Sequence, residues 1–216
     1  MKKITLFLLT SFLLIAACTG QPPASAETEI KTIKISLPEL PADATNLSEE
    51  YVQALVDQTE TEKLPDYKLA YRSDADIFVT SSIIHAFYQE ENKLKVFATT
   101  TVHFYNTNHQ NKTVTFLAGG TTPVAITYFK NNQGKYILEQ YQEARDGADH
   151  RISVGEYCTM PVSGKKIEGL ADKILKPVDR TLQQLPQQPL INILNNNGLT
   201  GYSLANYDGS ETTALN

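Results

Sequence analysis

The sequence predicts an α+β domain in which a curved antiparallel β-meander packs with one N-terminal and one C-terminal helix. Residues 77–141 are rich in β-branched and aromatic residues and are interrupted by short polar turns, as in consecutive hairpins. Apolar residues occupy both parities of the two longest segments, which favours a curved sheet that is partly buried on both faces. Segments with a 3.6-residue apolar period precede and follow this region and predict the two helices.

Turn residues divide the meander into its strands. The predicted strands cover residues 77–89, 94–105, 113–118, 124–130 and 135–141. Polar runs at residues 90–93, 106–111 and 131–134 separate them as turns. We expect Gly119 and Gly120 to mark a bulge or bend. A further strand is expected within residues 29–37, because apolar and polar residues alternate from Ile33 onwards.

The helix before the meander is expected to begin with Asn46 as its N-cap and Glu49 three residues later. Its apolar stripe is predicted from residues at i, i+4, i+7, i+8 and i+11: Leu47, Tyr51, Ala54, Leu55 and Gln58. Residues 63–66, which include Pro65, are expected to end it. The helix after the meander is expected to start near Ser163 and to end before Pro177.

The first eighteen residues have the pattern of an export signal. Lys2 and Lys3 precede about 14 nearly continuous apolar residues, and small residues then lead to Cys18. This run is shorter than the roughly 20 residues that span a bilayer. The segment resembles a bacterial lipoprotein signal with its lipobox. That resemblance implies cleavage before Cys18, diacylglycerol on its sulfur, and a body anchored at the extracytoplasmic face of the cell membrane. Conventional cleavage at residues 24–26 is the alternative.

The chain is accordingly divided into four parts. Residues 1–18 are the signal and lipobox, and residues 19–28 are a small, polar, proline-bearing spacer. Residues 29–176 are expected to form the α+β domain, and residues 177–216 a partly loose C-terminal extension rich in Pro and Gln.

Charge and cysteine content restrict the function classes. The chain has a net charge of −5. Cleavage of the signal would remove Lys2 and Lys3 but no acidic residue, and the net charge would become −7. An acidic body argues against nucleic acid as a partner. With Cys18 lipidated, Cys158 has no partner for a disulfide or for a cysteine metal site, and no cofactor is indicated.

Few residues suggest chemistry. His85 and His103 lie on neighbouring predicted strands, and with Asp146 they are the weak catalytic candidates. Asp146, Asp149 and His150 are the weak metal-ligand candidates, although their spacing fits neither an EF-hand nor a zinc helix. A solvated turn is the ordinary interpretation of that segment.

A second resemblance concerns the later part of the meander. The strand from Gly120 through Pro123 and Val124, the hairpin with Gly134 and Tyr136, and the Asp146–Gly147 turn are similar to domains of lipoproteins and membrane-anchored proteins of Gram-positive bacteria. The resemblance implies fold and location and carries no chemistry. By analogy of shape, the sheet would be cystatin-like or nuclear-transport-factor-2-like.

We therefore expect a lipid-anchored extracytoplasmic lipoprotein with a non-enzymatic domain that binds a cell-surface protein or a small ligand. The membrane, reached through the lipid on Cys18, is the one partner that the sequence indicates directly. Two alternatives remain open. The first is a hydrolase or lyase with a pocket on the sheet, and the second is a regulatory partner of a membrane protein.

Overall fold

Three long antiparallel strands form the framework of the fold: β1 (Ile77–Glu90), β2 (Lys93–Asn108) and β3 (Thr113–Lys130). The computed structural model describes residues 47–71, 74–176, 186–205 and 212–215. The far edge of β3 is shared by two partners, antiparallel β4 (Tyr136–Glu143) at one end and parallel β5 (Ser203–Ala205) at the other. A short β6 (Thr212–Ala214) pairs with β5. The predicted α+β class and the curved meander are confirmed.

Helices cover both faces of this sheet. They are α1 (Glu49–Glu62), α2 (Leu64–Ala70), α3 (His150–Tyr157), α4 (Leu170–Ile174) and α5 (Gln187–Asn196), and a 3₁₀ turn (Gly147–Asp149) precedes α3. The even-numbered residues of β2 up to Phe104 face α1 and α2, and we call this side the α1 face. The odd-numbered residues up to Tyr105 face α3 and α4 at one end and α5 at the other, on the α3 face.

The core of the α1 face explains why α1 forms where it does. Buried residues of α1 are Tyr51, Val52, Leu55, Val56, Thr59 and Glu60. This stripe differs from the predicted one, because Val52 and Val56 pack on the sheet while Ala54 turns toward the strand edge. Ser48 caps the helix by accepting a hydrogen bond from the Tyr51 amide at 3.2 Å. The predicted cap, Asn46, lies outside the described residues.

Two short helices depart from the expected pattern. Residues 63–66 were expected to end the helical region, but α2 starts at Leu64 and Pro65 lies in its first turn, where a missing amide is tolerated. Helix α3 follows the 3₁₀ turn that begins at Gly147, and the residue pattern did not predict it. It buries Ser153, Val154 and Tyr157.

The expected helix from Ser163 is much shorter than predicted. Only α4 forms, because Gly169 at its start has φ 72°, a left-handed conformation outside the helix. Residues 186–205 and 212–215 contribute α5 and the two short strands, so the packed body continues beyond residue 176. The expected strand at residues 29–37 lies outside the described residues.

The two central glycines of β3 mark a close approach and no bulge. The register shift lies at Leu117, whereas Gly119 and Gly120 pair regularly with His103 and Val102. A Cβ on Gly119 would lie 2.5 Å from the Val102 carbonyl oxygen and 2.6 Å from His103 Cδ2. A Cβ on Gly120 would lie 2.3 Å from the Tyr71 hydroxyl. These residues are glycine because neighbouring groups occupy the space of a side chain.

We expect Gly119→Ala to lower the free energy of unfolding by about 1–3 kcal/mol, the usual cost of forcing atoms into a packed site. Gly155→Ala in α3 is the matched control, because its Cβ would meet nothing within 4 Å. This control should raise the free energy of unfolding by about 0.5–1 kcal/mol through helix propensity. Urea unfolding measures both. Equal stability of the two variants would contradict the close approach.

Candidate functional site

A groove of about 840 Å³ lies between helix α1 and strand β1. Its α1 side is formed by Glu49, Glu50, Gln53, Ala54 and Asp57. Its β1 side is formed by residues 82–88, seven consecutive positions. Since side chains of a strand alternate between faces, a cavity over one face would be lined by every second residue. Lining by consecutive residues shows that the groove follows the edge of the strand.

Strand β1 is an edge strand within the described residues, where it pairs with β2 and with no other strand. Two of its carbonyl groups accept hydrogen bonds from side chains instead. Gln53 Nε2 donates to the Ser82 carbonyl at 3.4 Å, and Lys173 Nζ donates to the His85 carbonyl at 2.5 Å. The Ser82 hydroxyl is buried and has no hydrogen-bond partner in the described part of the chain. The edge therefore carries polar groups that an added strand could use.

His85 sits at a bulge in this edge. The register of β1 against β2 shifts between Ile84 and Ala86, so His85 is the extra residue. Its Nε2 lies 2.7 Å from the Thr99 hydroxyl. Burial, and then the nearby Lys173 ammonium, lower the pKa of the imidazole, which favours its neutral form. The bulge places His85 beside the groove and holds it against the α3 face.

The helix side of the groove is acidic. Asp57 is held by a 2.8 Å hydrogen bond from Gln53 Nε2, and burial raises the pKa of its carboxyl while this bond lowers it. Glu49 and Glu50 lie at the exposed first turn of α1. Ile83, Ile84 and Phe87 supply apolar surface on the strand side. The groove thus combines an apolar floor, an acidic rim and a strand edge.

A buried polar cluster lies on the other flank of α1. Glu60 is 1% exposed, and its carboxylate accepts hydrogen bonds from the Tyr67 hydroxyl at 2.9 Å and the Tyr141 hydroxyl at 2.5 Å. The two hydroxyls are 3.0 Å apart, and Lys63 Nζ lies 4.2 Å from the centre of the Tyr141 ring. This cluster joins α1, α2 and β4.

Burial raises the pKa of Glu60 to about 7, against the opposing effects of the two tyrosine hydrogen bonds and of Lys63, with Glu143 adding to the rise. Burial, and then the charge of Glu60, also raise the pKa of Tyr67 and Tyr141. A carboxyl that titrates near neutral pH can hold or release a proton. Tyr67 and Lys63 line a neighbouring cavity of about 360 Å³ that Glu60 does not line, so the carboxyl is shielded from any occupant.

The three catalytic candidates do not share a cavity. His85 lines the groove, whereas Asp146 lines the cavity beside Tyr67. His103 is on the α3 face, with Nδ1 3.0 Å from the Tyr105 hydroxyl and its ring centre 4.9 Å from that of Phe116. Burial lowers the pKa of His103. No contact joins these residues, so the described part of the chain offers no acid–base pair built from them.

The metal candidates fall on the 3₁₀ turn and the start of α3, at Asp146, Asp149 and His150. The described residues contain no group of three or more His, Cys, Asp or Glu side chains that could hold a metal ion. Cys158 is fully buried, and burial raises the pKa of its thiol to about 11, with Lys95 and Lys166 opposing the rise. At neutral pH this thiol is protonated and is a poor nucleophile. Cys18 lies outside the described residues.

Sequence reasoning missed the groove and the buried cluster. One signal was present, because Glu60 follows Val56 by four residues and Val52 by eight, which places a carboxylate on the apolar stripe. The tyrosines that bind it come from α2 and from β4, 74 residues apart, and no sequence pattern links them.

Comparison with protein families, with curated proteins and with solved structures found no match for this chain. Among the described residues, no helix has the length and apolar character needed to cross a membrane.

We expect Glu60→Gln to remove most of the pH dependence of stability between pH 5 and 8. The pKa of Glu60 in the folded protein, about 7, lies above the ordinary value of 4.5. The folded state therefore favours the protonated carboxyl. This contribution to the free energy of unfolding is complete below pH 4.5 and is lost as the pH rises through 7. The loss is on the order of 3 kcal/mol. Urea unfolding at several pH values should show that the free energy of unfolding of the variant, relative to that of the wild type, increases as the pH rises.

Glu62→Gln is the control, since Glu62 is exposed on the same helix. Its stability should stay parallel to that of the wild type at every pH. Parallel curves for Glu60→Gln as well would show that the buried carboxyl does not titrate in this range.

Proposed function

We propose that this chain is a lipid-anchored extracytoplasmic lipoprotein whose body is a non-enzymatic binding domain. The N-terminal pattern that ends at Cys18 supports the anchor and the location. The groove between α1 and β1 supports the binding function, because it is a large concave site beside an edge strand. The observation that carries the proposal is the lining of this groove by seven consecutive strand residues.

The occupant that suits such a groove is an extended peptide segment of another envelope protein. A peptide strand gains main-chain hydrogen bonds along an open edge and places alternate side chains on the two sides. It would replace the bonds that Gln53 and Lys173 now make to the edge carbonyls. Glu49, Glu50 and Asp57 favour basic side chains on the helix side of that peptide.

Binding without chemistry is favoured over hydrolysis by the arrangement of the candidate groups. His85 contacts Thr99 and has no carboxylate partner among the described residues, so its imidazole lacks the group that orients a general base. The Cys158 thiol is buried and protonated. The described groove offers hydrogen-bonding edges and an apolar floor, which are the features of recognition.

The lipid anchor is tested by feeding cells an alkyne-bearing fatty acid and detecting the label on the purified protein. The wild type should carry the label, with an N-terminus at Cys18, and Cys18→Ser should lose it because the acceptor sulfur is gone. Cys158→Ser is the matched control and should keep the label. An unlabelled wild-type protein that begins after Ala26 would contradict the anchor.

The groove is tested with a fluorescent hexapeptide of alternating lysine and valine, measured by anisotropy. We expect Ala54→Trp to weaken binding by about tenfold or more, since an indole ring at this position fills the groove. Glu62→Trp, on the exposed surface of the same helix, should bind as the wild type does. The peptide with glutamate in place of lysine should bind more weakly because of the acidic rim.

Two results would overturn this proposal. The first is equal binding by the wild type and Ala54→Trp. The second is a pair of observations: the wild type binds no peptide, and Ala54→Trp without peptide has a lower thermal midpoint than the wild type. Together they would mean that a segment of the chain itself fills the groove.

A further inference from the structure

A third cavity, of about 530 Å³, opens on the α3 face near the start of β2. It lies between the sheet and the loop after α3, and it shares no lining residue with the groove between α1 and β1. The residues that matter for its chemistry are Lys95, Thr127, Gln140, Gln142, Tyr157 and Thr159. All of them carry polar groups, and Tyr157 also belongs to the apolar cluster beneath α3.

Lys95 is the distinctive group in this cavity. Its side chain comes from the second position of the buried run of β2, residues 94–102, and the residue is 6% exposed. The ammonium donates to the Thr159 hydroxyl at 3.1 Å and lies 5.5 Å from the centre of the Phe97 ring. Within the described residues it forms no ion pair. A buried cation with one neutral acceptor leaves hydrogen-bonding capacity unused, and this is costly unless an anion joins it.

The other charges around the cavity are already neutralised. Glu139 pairs with Lys93 at 2.7 Å, and Glu156 pairs with Arg145 at 2.9 Å. Neither carboxylate is within ion-pairing distance of Lys95 in the described structure. Among the described residues, the cavity therefore has one positive charge without a counter-ion, that of the buried Lys95.

A second group in this cavity is a tyrosine with unused hydrogen-bonding capacity. Tyr157 also lines the cavity and is 3% exposed, yet its hydroxyl is buried with no hydrogen-bond partner among the described residues. Its ring stacks on Phe97 with 6.4 Å between centroids, which fixes the position of the side chain. Buried unsatisfied hydroxyls are uncommon in folded proteins and call for an explanation.

We propose that this cavity binds a small monocarboxylate that carries further hydrogen-bonding groups, such as a hydroxy acid. The carboxylate would accept hydrogen bonds from the Lys95 ammonium and the Tyr157 hydroxyl. The amides of Gln140 and Gln142 would meet the remaining polar groups of the ligand. A single negative charge matches the single free ammonium, whereas a phosphate dianion would bring a second negative charge for which this cavity has no further free cation.

The test titrates the full chain in detergent with glycolate, acetate, inorganic phosphate and chloride at constant ionic strength. Calorimetry should show saturable binding of glycolate, weaker binding of acetate and no saturable heat for phosphate or chloride. The thermal midpoint should rise with glycolate in proportion to its occupancy.

Two variants assign this binding to the proposed groups. Lys95→Met should lose saturable binding and should fold without loss of stability, because it removes a buried charge that has no counter-ion. Tyr157→Phe should keep the ligand-free stability, since the hydroxyl has no partner, and should weaken glycolate binding by about tenfold, the value of one hydrogen bond to a charged group. Lys135→Met, at an exposed lysine, should bind as the wild type does.

The proposal is overturned if the wild type shows no saturable binding of either carboxylate. It is also overturned if Lys95→Met or Tyr157→Phe binds glycolate as tightly as the wild type. Equal calorimetric responses to glycolate, phosphate and chloride would also overturn it, because they would show a general effect of salt and no specific carboxylate site. None of these results bears on peptide binding in the groove at β1, because the two sites have no lining residue in common.

Discussion

Strand β2 is buried on both faces, and this constraint determines how the other elements are arranged. Residues 94–102 are buried at nine consecutive positions, with no alternation toward solvent. An antiparallel sheet that exposes one face to solvent needs helices on the other face only, whereas this strand must pack against other elements on both faces. Helices α1 and α2 provide it on one face, and α3, α4 and α5 on the other. The outer strands pair with β2 directly or through β3 and remain less buried.

Such a strand must satisfy every polar side chain that it carries into the core. The threonines do so across the sheet: Thr99 contacts His85 at 2.7 Å, and Thr101 contacts Thr121 at 3.1 Å. These pairs add to the main-chain ladder where no helix contributes apolar contacts. Lys95 has a longer and charged side chain, and the sheet offers it no acidic neighbour. Both candidate binding sites lie where the helical cover ends, one at the edge strand and one beside α3.

The sequence was most informative about the long strands. Their β-branched and aromatic residues extend over 14 to 18 positions in β1, β2 and β3. A pattern of this length is distinguishable from chance variation in composition. Apolar residues on both parities also predicted burial of both faces, which β2 confirms. The short helices α2 and α3 were harder, because 7 or 8 residues give too few turns for a period. Pro65 was read as a stop, although it occupies a first turn.

The candidate sites were beyond the reach of sequence patterns for a different reason. Each depends on contacts between distant segments, such as Lys95 with Thr159 or Tyr67 with Tyr141. The histidines attracted attention because of their chemistry, yet hydrogen bonds within the sheet occupy them both. Charged residues at positions where the pattern expects an apolar residue were the better indicator. Glu60 lies on the apolar stripe of α1 and Lys95 lies between Leu94 and Val96, and both are almost fully buried.

The burial of Cys158 has a practical consequence for the dynamics of this fold. The thiol lies beneath α3 and α4 on the α3 face, at zero exposure, and the chain has two cysteines in all. Cys158 is the free cysteine among the described residues, and if Cys18 is acylated as proposed, it is the remaining free thiol of the processed chain. A thiol reagent can therefore reach it only when this helical cover opens, and the labelling rate reports the free energy of that local opening. The thiol is therefore a native probe for local opening of α3 and α4, and no introduced label is needed.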